Sequence, residues 1–566
     1  MPPGSPSTIN LANAFDAVAR LTPDAECLVS ARRRLTWVEV RERAGRFAGF
    51  LAAHGFGCST ERDRLANWER GQSIVGLMAY NGHEYLEGML GGYKARAVPF
   101  NVNYRYVAEE LRYLCDNADL KVLVFQQELA PHIAAVAGHV PTLRALIHVE
   151  DESGSPIPAN GLESIAYEAA LAAASPARDF APRSGDDLYV IYTGGTTGMP
   201  RGVMWRHKDL FYAGLQGGAP GGEPVMVAEQ LAENAREEWR AMAMLPVAPL
   251  IHGAAQFAVW IALFTGGKGV FVPGRRFDPD ATWRLVERER VTTILIVGDA
   301  MARPLADALE RSATRPEGPW DTSAMMALAS SGAILSGSVK AQLERLLPST
   351  LVINNYGSSE SGHQGAAMAG EDGRVVWIMG DTTTVLDEHM KPVEPGSGVL
   401  GKIARRGYVP VGYYKDPVKS AQTFIEIDGV RWVIPGDLAT VEADGSITFF
   451  GRGSACINTG GEKVFPEEIE EVLKAHAAVA DAVVVGVPDE RFGERVVALV
   501  QARPVAAIEV PGFDDLDAHC RARVAGYKVP RRVHVIDQVV RHPSGKPDYR
   551  WARATAIALD AQAAIA

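Results

Sequence analysis

Short runs of β-branched residues alternate with longer segments of helical periodicity along most of this 566-residue chain, and this alternation constrains the fold more than any other feature. Two segments, 277–290 and 339–347, carry apolar residues at helical spacing. The runs predicted to be strands are 121–125, 188–192, 270–272, 292–297 and 351–354. Strands that alternate with helices are typical of α/β domains with largely parallel sheets, and this is the predicted fold class.

The pattern changes near residue 450. A predicted strand at 445–450 is followed by a break at 451–454 that contains two glycines. Beyond the break, a helix is predicted at 466–475, a strand at 482–487 and a helix at 513–524. The change predicts a large N-terminal domain over 1–451 and a small C-terminal α/β domain over 455–566.

Charge and cysteine content narrow the classes of function. The chain has 57 basic and 68 acidic residues, a net charge of −11, and no block of like charges. It therefore lacks the electrostatic footprint of a nucleic-acid-binding protein, and no nucleic-acid partner is expected. Its five cysteines are scattered and have no metal-ligand spacing, which is typical of a reducing compartment. With no recognisable targeting signal at either end, we expect a cytoplasmic location.

One stretch, 241–267, has no charged residue and is long enough to cross a membrane. Its interior is interrupted by Pro246, Pro249 and the dipeptide His252-Gly253. These residues favour a buried strand at 242–247, a turn, and a buried helix over 254–264. No transmembrane segment is expected.

The segment YTGGTTGMPRG, residues 192–202, is the strongest chemical signal. Glycines permit backbone conformations in which successive N–H groups converge on an anion, and threonines add hydroxyl donors. The segment has neither the GK[ST] ending of a P-loop nor the GxGxxG pattern of a dinucleotide fold. We interpret it as a polyphosphate-binding loop; the alternative is a flexible surface loop.

This loop resembles the YTSGTTGxPKG motif of the adenylate-forming superfamily, which includes acyl-CoA synthetases, aryl-CoA ligases, luciferases and amino-acid adenylation domains. Gly195 replaces the usual serine and Arg201 the usual lysine, and arginine keeps the positive charge. Four further motifs follow in the family's order over nearly the whole chain. The resemblance implies a large multi-sheet N-terminal adenylate-forming domain and a small mobile C-terminal domain.

The segment NNYGSSE, residues 354–360, resembles the family motif YGxTE. By this resemblance Tyr356 stacks on adenine, Ser359 lies at the α-phosphate, and Glu360, with Thr196, holds Mg²⁺. One carboxylate with phosphate oxygens suits that ion. The resemblance places residues of three segments at ATP or AMP: the loop, this motif and the segment SSGA at 330–333. They are Thr193, Gly194, Gly195, Thr196, Thr197, Gly198, Arg201, Gly332, Ala333, Asn355, Tyr356, Gly357, Ser358 and Ser359.

Two motifs near the predicted domain boundary complete the nucleotide site. The segment WVIPGD, 432–437, resembles the motif TGD, with Pro435 in place of threonine, and implies that Asp437 accepts hydrogen bonds from the ribose hydroxyls. The segment beginning at Gly451 resembles the interdomain junction. It implies that Arg452 also binds ATP at the ribose and that 452–454 is the hinge, although Ser454 stands where Asp or Lys is usual.

The remaining matches lie in the predicted small domain. Gly460, Gly461 and Lys463 fall in the loop that faces coenzyme A in the family. The segment PSGK at 543–546 resembles the C-terminal motif, and it implies that Lys546 is a catalytic cation that also contacts ATP.

These residues together imply a two-step reaction. The substrate carboxylate displaces pyrophosphate from ATP, with Lys546 and Mg²⁺ on Glu360 neutralising charge. The small domain then rotates, and a thiol attacks the acyl-adenylate. Only twenty residues follow Lys546, so free coenzyme A is the expected thiol. His252, in the turn bordering the acyl pocket, is expected to gate or line that pocket in a catalytic role; the alternative is a buried, hydrogen-bonded histidine.

Small residues next to aromatics after His252 indicate room for a bulky apolar acid. The motifs look most like those of bacterial fatty-acid and steroid-side-chain acyl-CoA ligases, so we predict an AMP-forming ligase for a medium-chain, long-chain or steroid-side-chain carboxylic acid. The alternatives are an acyl-AMP ligase or luciferase-like oxidase, an aryl-CoA or other carboxylate-CoA ligase, and a non-catalytic binding protein on the same fold. The choice of acid, membrane association and assembly into a homo-oligomer stay open.

Overall fold

The structure is a computed structural model of the chain. It describes residues 9–157, 162–176, 182–194, 199–237, 241–272, 274, 276–332, 335, 337–369, 375–452, 457–464, 466–474, 476, 478–502, 512–540 and 549–565.

Helices occur throughout this part of the chain. The α-helices are α1 Leu11–Leu21, α2 Trp37–Ala53, α3 His83–Lys94, α4 Ala108–Asn117, α5 Ala130–Ala134, α6 Tyr167–Ala173, α7 His207–Ala213, α8 Ala228–Asn234, α9 Gly253–Phe264, α10 Pro279–Glu289, α11 Gly298–Ser312, α12 Gly337–Leu346, α13 Pro417–Thr423, α14 Pro466–Lys474, α15 Phe513–Arg521 and α16 Tyr549–Ile565. Short 3₁₀ helices are Arg62–Arg64, Gln127–Leu129, Ala137–His139 and Gln216–Gly218.

The strands alternate with these helices in the first two thirds of the chain and then follow one another directly. They are β1 Glu26–Val29, β2 Arg34–Thr36, β3 Ile74–Met78, β4 Val98–Asn101, β5 Val122–Gln126, β6 Ala145–Val149, β7 Ser164–Ala166, β8 Leu188–Gly194, β9 Pro200–Arg206, β10 Ala243–Pro246, β11 Lys268–Val270, β12 Thr293–Ile296, β13 Ala327–Ser330, β14 Leu351–Ser358, β15 Gly362–Ala369, β16 Val375–Met379, β17 Thr383–Leu386, β18 Gly401–Arg406, β19 Gly412–Tyr413, β20 Phe424–Ile427, β21 Val430–Val433, β22 Asp437–Val441, β23 Ile447–Arg452, β24 Ile457–Thr459, β25 Glu462–Val464, β26 Val479–Asp489, β27 Gly493–Ala502 and β28 Arg532–Ile536.

Local sequence explains where several helices begin. Thr36 and Glu39 form a reciprocal capping box at the start of α2. Asp278 accepts a hydrogen bond from the amide of Ala281, and Pro279 occupies the first turn of α10, where its missing N–H costs nothing. The helix ends at Arg290 in the left-handed conformation.

The largest sheet changes character along its width. Strands β1, β11, β10, β12, β13 and β14 pair in parallel, and helices between them cover the sheet. From β14 onward each strand pairs antiparallel with the next one in the sheet, in the order β15, β16, β23, β22, β18, β21, β20. The expectation of largely parallel sheets is therefore wrong for this second half. Short connections, which allow antiparallel pairing, join β14 to β15, β15 to β16, β20 to β21 and β22 to β23.

The part of the chain that the structure describes contains three further sheets. Strands β4, β3, β5, β6 and β7 form a parallel sheet, and β19, β9 and β8 form an antiparallel one. Beyond residue 456, strands β25, β24, β27, β26 and β28 form a separate sheet that packs its own apolar core against α14 and α15. We call residues 457–565 the C-terminal unit. The predicted α/β class is confirmed, with a large N-terminal and a small C-terminal domain.

Several predicted boundaries were wrong, as two strands illustrate, and a predicted helix is confirmed. The strand predicted at 270–272 is Lys268–Val270 and lies earlier in the chain. The strand predicted from 445 begins at Ile447, because Gly445 occupies a turn with φ +84°. The charge-free stretch 241–267 forms β10 and the buried helix α9. Within the described residues, the structure has no helix that combines the length and apolarity a membrane span requires.

Candidate active site

A cavity of about 430 Å³ lies between α9, one face of the parallel half-sheet and the C-terminal unit. Many of the residues that the sequence motifs indicated form its wall. They are Thr193, His252, Gly332, Asn355, Tyr356, Gly357, Ser358, Ser359, Glu360, Gly461 and Lys463. The cavity therefore joins motif residues that lie up to 270 positions apart in the sequence.

One part of the cavity is an apolar slot, and its two sides follow directly from secondary-structure periodicity. Helix α9 contributes Ala254, Phe257, Ala258 and Ile261, which are spaced to lie along one helix face. The facing sheet contributes every second residue of its strands, namely Met244, Thr293, Leu295, Ala327, Ala329 and Ile353. The intervening residues of these strands, such as Ile294 and Leu328, are buried in the core on the other face of the sheet.

The slot follows the strands away from their carboxyl ends. Thr293 and Val297 both line the cavity and are four strand positions apart, which corresponds to about 13 Å. Alanines at 327 and 329 on the sheet face alanines at 254 and 258 on the helix. Small side chains on both sides leave the slot wide as well as deep.

The carboxyl ends of the strands carry the polar end of the cavity. The hydroxyl of Tyr356 donates to Oδ2 of Asp437 at 2.7 Å, so the residues expected at adenine and at ribose are in contact. Asp437 is the register partner of Arg452 across β22 and β23. Tyr356, Asp437 and Arg452, which belong to three separate motifs, are thus neighbours in the fold.

Glu360 lies on the turn between β14 and β15. Its Oε1 accepts a hydrogen bond from the hydroxyl of Tyr413 at 3.1 Å, and the carbonyl of the preceding Ser359 accepts from the indole of Trp205 at 2.8 Å. The described residues contain no group of three His, Cys, Asp or Glu side chains able to hold a metal ion. A single carboxylate at the cavity wall fits Mg²⁺ bound mainly through phosphate oxygens.

The glycine- and threonine-containing loop connects two antiparallel strands. Gly194 at the end of β8 pairs with Pro200 at the start of β9. Arg201, expected to attract phosphate, forms an ion pair with Asp416, with Nε 3.0 Å from Oδ2. Asn101 fixes the base of the loop: its side-chain amide donates to the carbonyls of Tyr192 and Ile251, and its oxygen accepts from the Tyr192 amide.

The glycine pair of the C-terminal unit forms the turn between β24 and β25 and closes the cavity. Both Gly460 and Gly461 have positive φ, +59° and +85°. A Cβ atom at Gly461 would lie 2.0 Å from Cγ1 of Val297, at the end of β12. Only glycine therefore allows the turn to approach the cavity wall this closely.

Glu462, next to this turn, binds two side chains of the N-terminal part. Its Oε1 is 3.2 Å from Nε2 of His252, and it also pairs with Arg105. Burial alone would raise the pKa of the Glu462 carboxyl, but His252 and Arg105 outweigh it and lower the pKa to about 2. His252 caps the start of α9 and its side chain is 33% exposed, so it lines the cavity rather than being buried in a core.

A second ion pair joins the same two parts. Nζ of Lys528 donates to Oε1 of Glu110 at 2.7 Å, and both side chains are 4% exposed. Lys528 and its neighbour Tyr527 line the cavity on the side of the C-terminal unit. The C-terminal unit is thus held with its glycine turn, and with Lys463, at the cavity.

Some predicted site residues lie outside the described part of the chain. They are Gly195, Thr196, Thr197, Gly198, Ala333 and Lys546, together with Ser454 of the expected hinge. Their roles stay predictions.

Comparison with known proteins identifies the family. The profile of the AMP-binding enzyme family matches residues 15–414, and that of the AMP-binding enzyme C-terminal domain matches residues 468–546. The chain belongs to the AMP-binding enzyme family.

This AMP-binding enzyme has well-covered relatives among characterised proteins. It is 44% identical to a 3-oxocholest-4-en-26-oate–CoA ligase of Rhodococcus rhodochrous over 96% of this chain and 95% of the relative. It is 43% identical to a medium/long-chain-fatty-acid–CoA/3-oxocholest-4-en-26-oate–CoA ligase of Mycobacterium tuberculosis strain H37Rv, covering 96% of both chains. It is 42% identical to the medium-chain acyl-CoA ligase Mig of Mycobacterium avium, covering 96% and 97%.

Solved structures share the fold at low identity. The amide bond synthetase McbA of Marinactinospora thermotolerans superposes with a TM-score of 0.71 at 21% identity, over 97% of this chain and 99% of that chain. An o-succinylbenzoate CoA synthetase of Bacillus subtilis, solved with a product analogue, gives 0.71 at 19% identity, covering 96% and 98%.

Several residues that build the site of this AMP-binding enzyme were not found from the sequence. Asn101 ends β4, Glu110 lies in α4 and Arg105 lies in the connection between them, far in sequence from every recognised motif. Glu462 adjoins Gly461, yet nothing in the sequence pairs it with His252. Each of these residues binds a partner that is more than 90 positions away in the sequence. The spacing of nearby residues cannot predict such a contact.

Proposed function

We propose that this AMP-binding enzyme is an ATP-dependent acyl-CoA ligase for medium-chain, long-chain or steroid-side-chain carboxylic acids. The observation that carries the proposal is the cavity itself. It unites an apolar slot, a polar end with Tyr356, whose hydroxyl binds Asp437, and the glycine turn of the C-terminal unit. The relatives that are 42–44% identical act on such acids according to their names.

The first half-reaction makes the acid reactive. A carboxylate oxygen attacks the α-phosphorus of ATP, pyrophosphate leaves, and a mixed anhydride, the acyl-adenylate, is formed. The wide apolar slot would hold the acyl group while Tyr356 and Asp437 orient the nucleoside. We infer that Lys546 and the loop containing Thr196 stabilise the phosphates.

Mg²⁺ fits the same end of the cavity. Glu360, with Thr196, would hold the ion, and the bound ion would neutralise phosphate charge. The residues of the protein then need only to position the acid for attack in line with the departing pyrophosphate.

The second half-reaction needs a different set of groups. A thiol of coenzyme A loses its proton, its sulfur attacks the acyl carbon, and AMP leaves. The structure has Gly461 and Lys463 at the cavity, an arrangement that suits this step. We infer that residues 452–454 act as the hinge between domains 1–451 and 455–566, and that rotation about it exchanges Lys546 for the glycine turn.

Mass spectrometry of reaction mixtures tests the proposal. The purified enzyme is incubated with ATP, Mg²⁺ and acids from acetate to long-chain and steroid-side-chain acids, each with and without coenzyme A. We expect acyl-CoA and AMP with the bulky apolar acids. Acyl-adenylate without thioester would instead indicate an acyl-AMP ligase, and neither product with any acid would refute the proposal.

A further inference from the structure

Arg405 is a buried arginine on β18, directly behind the turn that carries Glu360. The residue is 7% exposed. Its Nη1 donates to the carbonyl of Ser361 at 2.7 Å, to the carbonyl of Ala213 at 3.2 Å and to the carbonyl of His363. One guanidinium nitrogen therefore joins three carbonyl groups from two separate segments of the chain.

Within the described residues, no acidic side chain forms an ion pair with this guanidinium. Among the ion pairs of the described residues, none includes Arg405, and its Nε has no hydrogen-bond partner there. Burial lowers the pKa of the Arg405 guanidinium to about 10, so the group is still protonated at neutral pH. In this part of the chain the guanidinium is bonded to backbone carbonyls alone, and a cation buried among dipoles costs stability unless its hydrogen bonds compensate.

The three carbonyls belong to elements that form the cavity wall. Ser361 and His363 follow Glu360 in the turn and in β15, whereas Ala213 ends α7 and precedes the wall residue Gly214. The two segments are in tight contact, because a Cβ atom at Gly362 would lie 2.7 Å from the carbonyl oxygen of Ala213.

The near end of the turn is fixed by its own hydrogen bonds. The hydroxyls of Ser358 and Ser361 are 2.9 Å apart, and each also accepts from the backbone amide of the other residue. Arg405 fixes the far end. The position of the Glu360 carboxylate along the cavity therefore depends on both ends of this short turn.

We propose that Arg405 is a positioning residue for adenylate formation, which holds the Ser358–His363 turn, and with it Glu360, against the end of α7. Its positive charge also favours the anionic substrates at this wall. The inference rests on the proposed function, since Glu360 is taken to act on Mg²⁺ and ATP.

Two substitutions separate positioning from charge. Arg405→Lys keeps the charge but cannot reach all three carbonyls, and Arg405→Met removes the charge and the donors with an unbranched apolar side chain that is shorter than arginine. Arg406→Met is the matched control, because Arg406 is the next residue of the same strand and is exposed. Active-site titration and thermal melting correct each rate for the folded fraction.

Two half-reactions are then measured for each variant. Pyrophosphate release reports adenylate formation at varied concentrations of ATP and Mg²⁺, and conversion of synthetic acyl-adenylate to acyl-CoA reports the second step. For Arg405→Met we expect a loss of about 10- to 100-fold in adenylate formation and a higher Mg²⁺ requirement, as for other residues that orient a metal-binding group. The rate of the second step should change by less than about threefold. The rate of adenylate formation by Arg405→Lys should lie between those of Arg405→Met and the wild type.

An equal loss in both half-reactions, or no loss in either, would overturn the inference while leaving the proposed function intact. If Arg405→Met does not fold, the same comparison for Arg405→Lys decides. A wild-type enzyme that forms no acyl-adenylate from any acid would refute the proposed function, and the inference would fall with it.

Discussion

Lys528 of the C-terminal unit and Glu110 of α4 form a buried ion pair, with the ammonium nitrogen 2.7 Å from the carboxylate oxygen. Removing one partner of such a pair leaves an uncompensated buried charge, at a cost of about 3–5 kcal/mol. The cost applies only to the domain arrangement in which the two residues meet. We therefore expect Lys528→Met to slow conversion of supplied acyl-adenylate to acyl-CoA by at least about tenfold.

Adenylate formation by Lys528→Met should change much less. Glu110→Gln gives the reciprocal test, because glutamine keeps an oxygen acceptor for the amide of Val107, which Glu110 binds at 3.2 Å. Lys474→Met, at an exposed position of α14, is the control for loss of a lysine from the C-terminal unit. Equal effects of Lys528→Met on both half-reactions would contradict the expectation.

Gly461→Ala should block the thioester step and spare adenylate formation. The added methyl would lie 2.0 Å from Cγ1 of Val297, so the turn must move away from the cavity. A displacement of this size costs about 100-fold in a reaction that depends on positioning. Rates of acyl-CoA formation from supplied acyl-adenylate provide the measurement.

Gly445→Ala is a matched control for backbone strain. Gly445 has φ +84°, nearly the same as Gly461, but a Cβ atom added there would have no other atom within 4 Å. If Gly445→Ala and Gly461→Ala impaired the thioester step equally, the contact with Val297 would not be the cause. Adding Val297→Ala to Gly461→Ala should restore part of the rate.

Asp437→Asn should raise the KM for ATP by about tenfold or more, because hydrogen bonds to a charged acceptor contribute about 1.5–3 kcal/mol. Tyr356→Phe removes the hydroxyl that occupies Asp437 in this structure but keeps the ring for adenine. We expect its KM for ATP to be unchanged or lower. An increase as large as that of Asp437→Asn would show that the hydroxyl itself binds the nucleotide.

Ala329→Leu should narrow the apolar slot and change the choice of acid. A branched side chain at this wall position occupies the space between β13 and α9. Discrimination of about 10- to 200-fold is typical for small changes in an apolar pocket, so long-chain and steroid-side-chain acids should lose this much kcat/KM relative to short acids. Leu328→Met is the control, since Leu328 lies on the opposite face of the same strand. A uniform loss for all acids would point to misfolding of the slot.

The low pKa of Glu462 predicts an acid-dependent contribution to stability. The carboxyl has a pKa of about 2 in the folded protein, against an ordinary value of 4.5, so its ionised form stabilises the native state above pH 4.5. As the pH falls from about 4.5 to about 2, the unfolded chain is protonated first and this contribution, at most about 3 kcal/mol, is lost.

Urea unfolding at pH 5 and pH 3 provides the measurement. The difference in the free energy of unfolding between the wild type and Glu462→Gln should shrink at the lower pH. Glu490→Gln, at an exposed turn of the same unit, should show no such change. A difference that is the same at both pH values would contradict the assigned pKa.

The alternation of strands and helices predicted the α/β class because each local run reports its own secondary structure. The order in which strands pair is a separate property, and antiparallel pairs that are far apart in sequence, such as β16 with β23 and β18 with β22, carry no local mark of it. The motif residues Tyr356 and Asp437 were found because family motifs are local in sequence. Arg405 and Lys528 were missed because an isolated basic residue looks the same in the sequence whether it is exposed or bound to groups that are distant in sequence, from 42 to 418 positions away here.

The contact of Gly461 with Val297 means that the N-terminal part and the C-terminal unit, each with its own apolar core, together form the wall of the cavity. A molecule that fills both the slot and the space beside this turn would contact each of them, so its binding energy would be distributed over the junction. The enzyme saturated with such a molecule should therefore unfold more cooperatively than the free enzyme, which a comparison of their thermal unfolding curves checks.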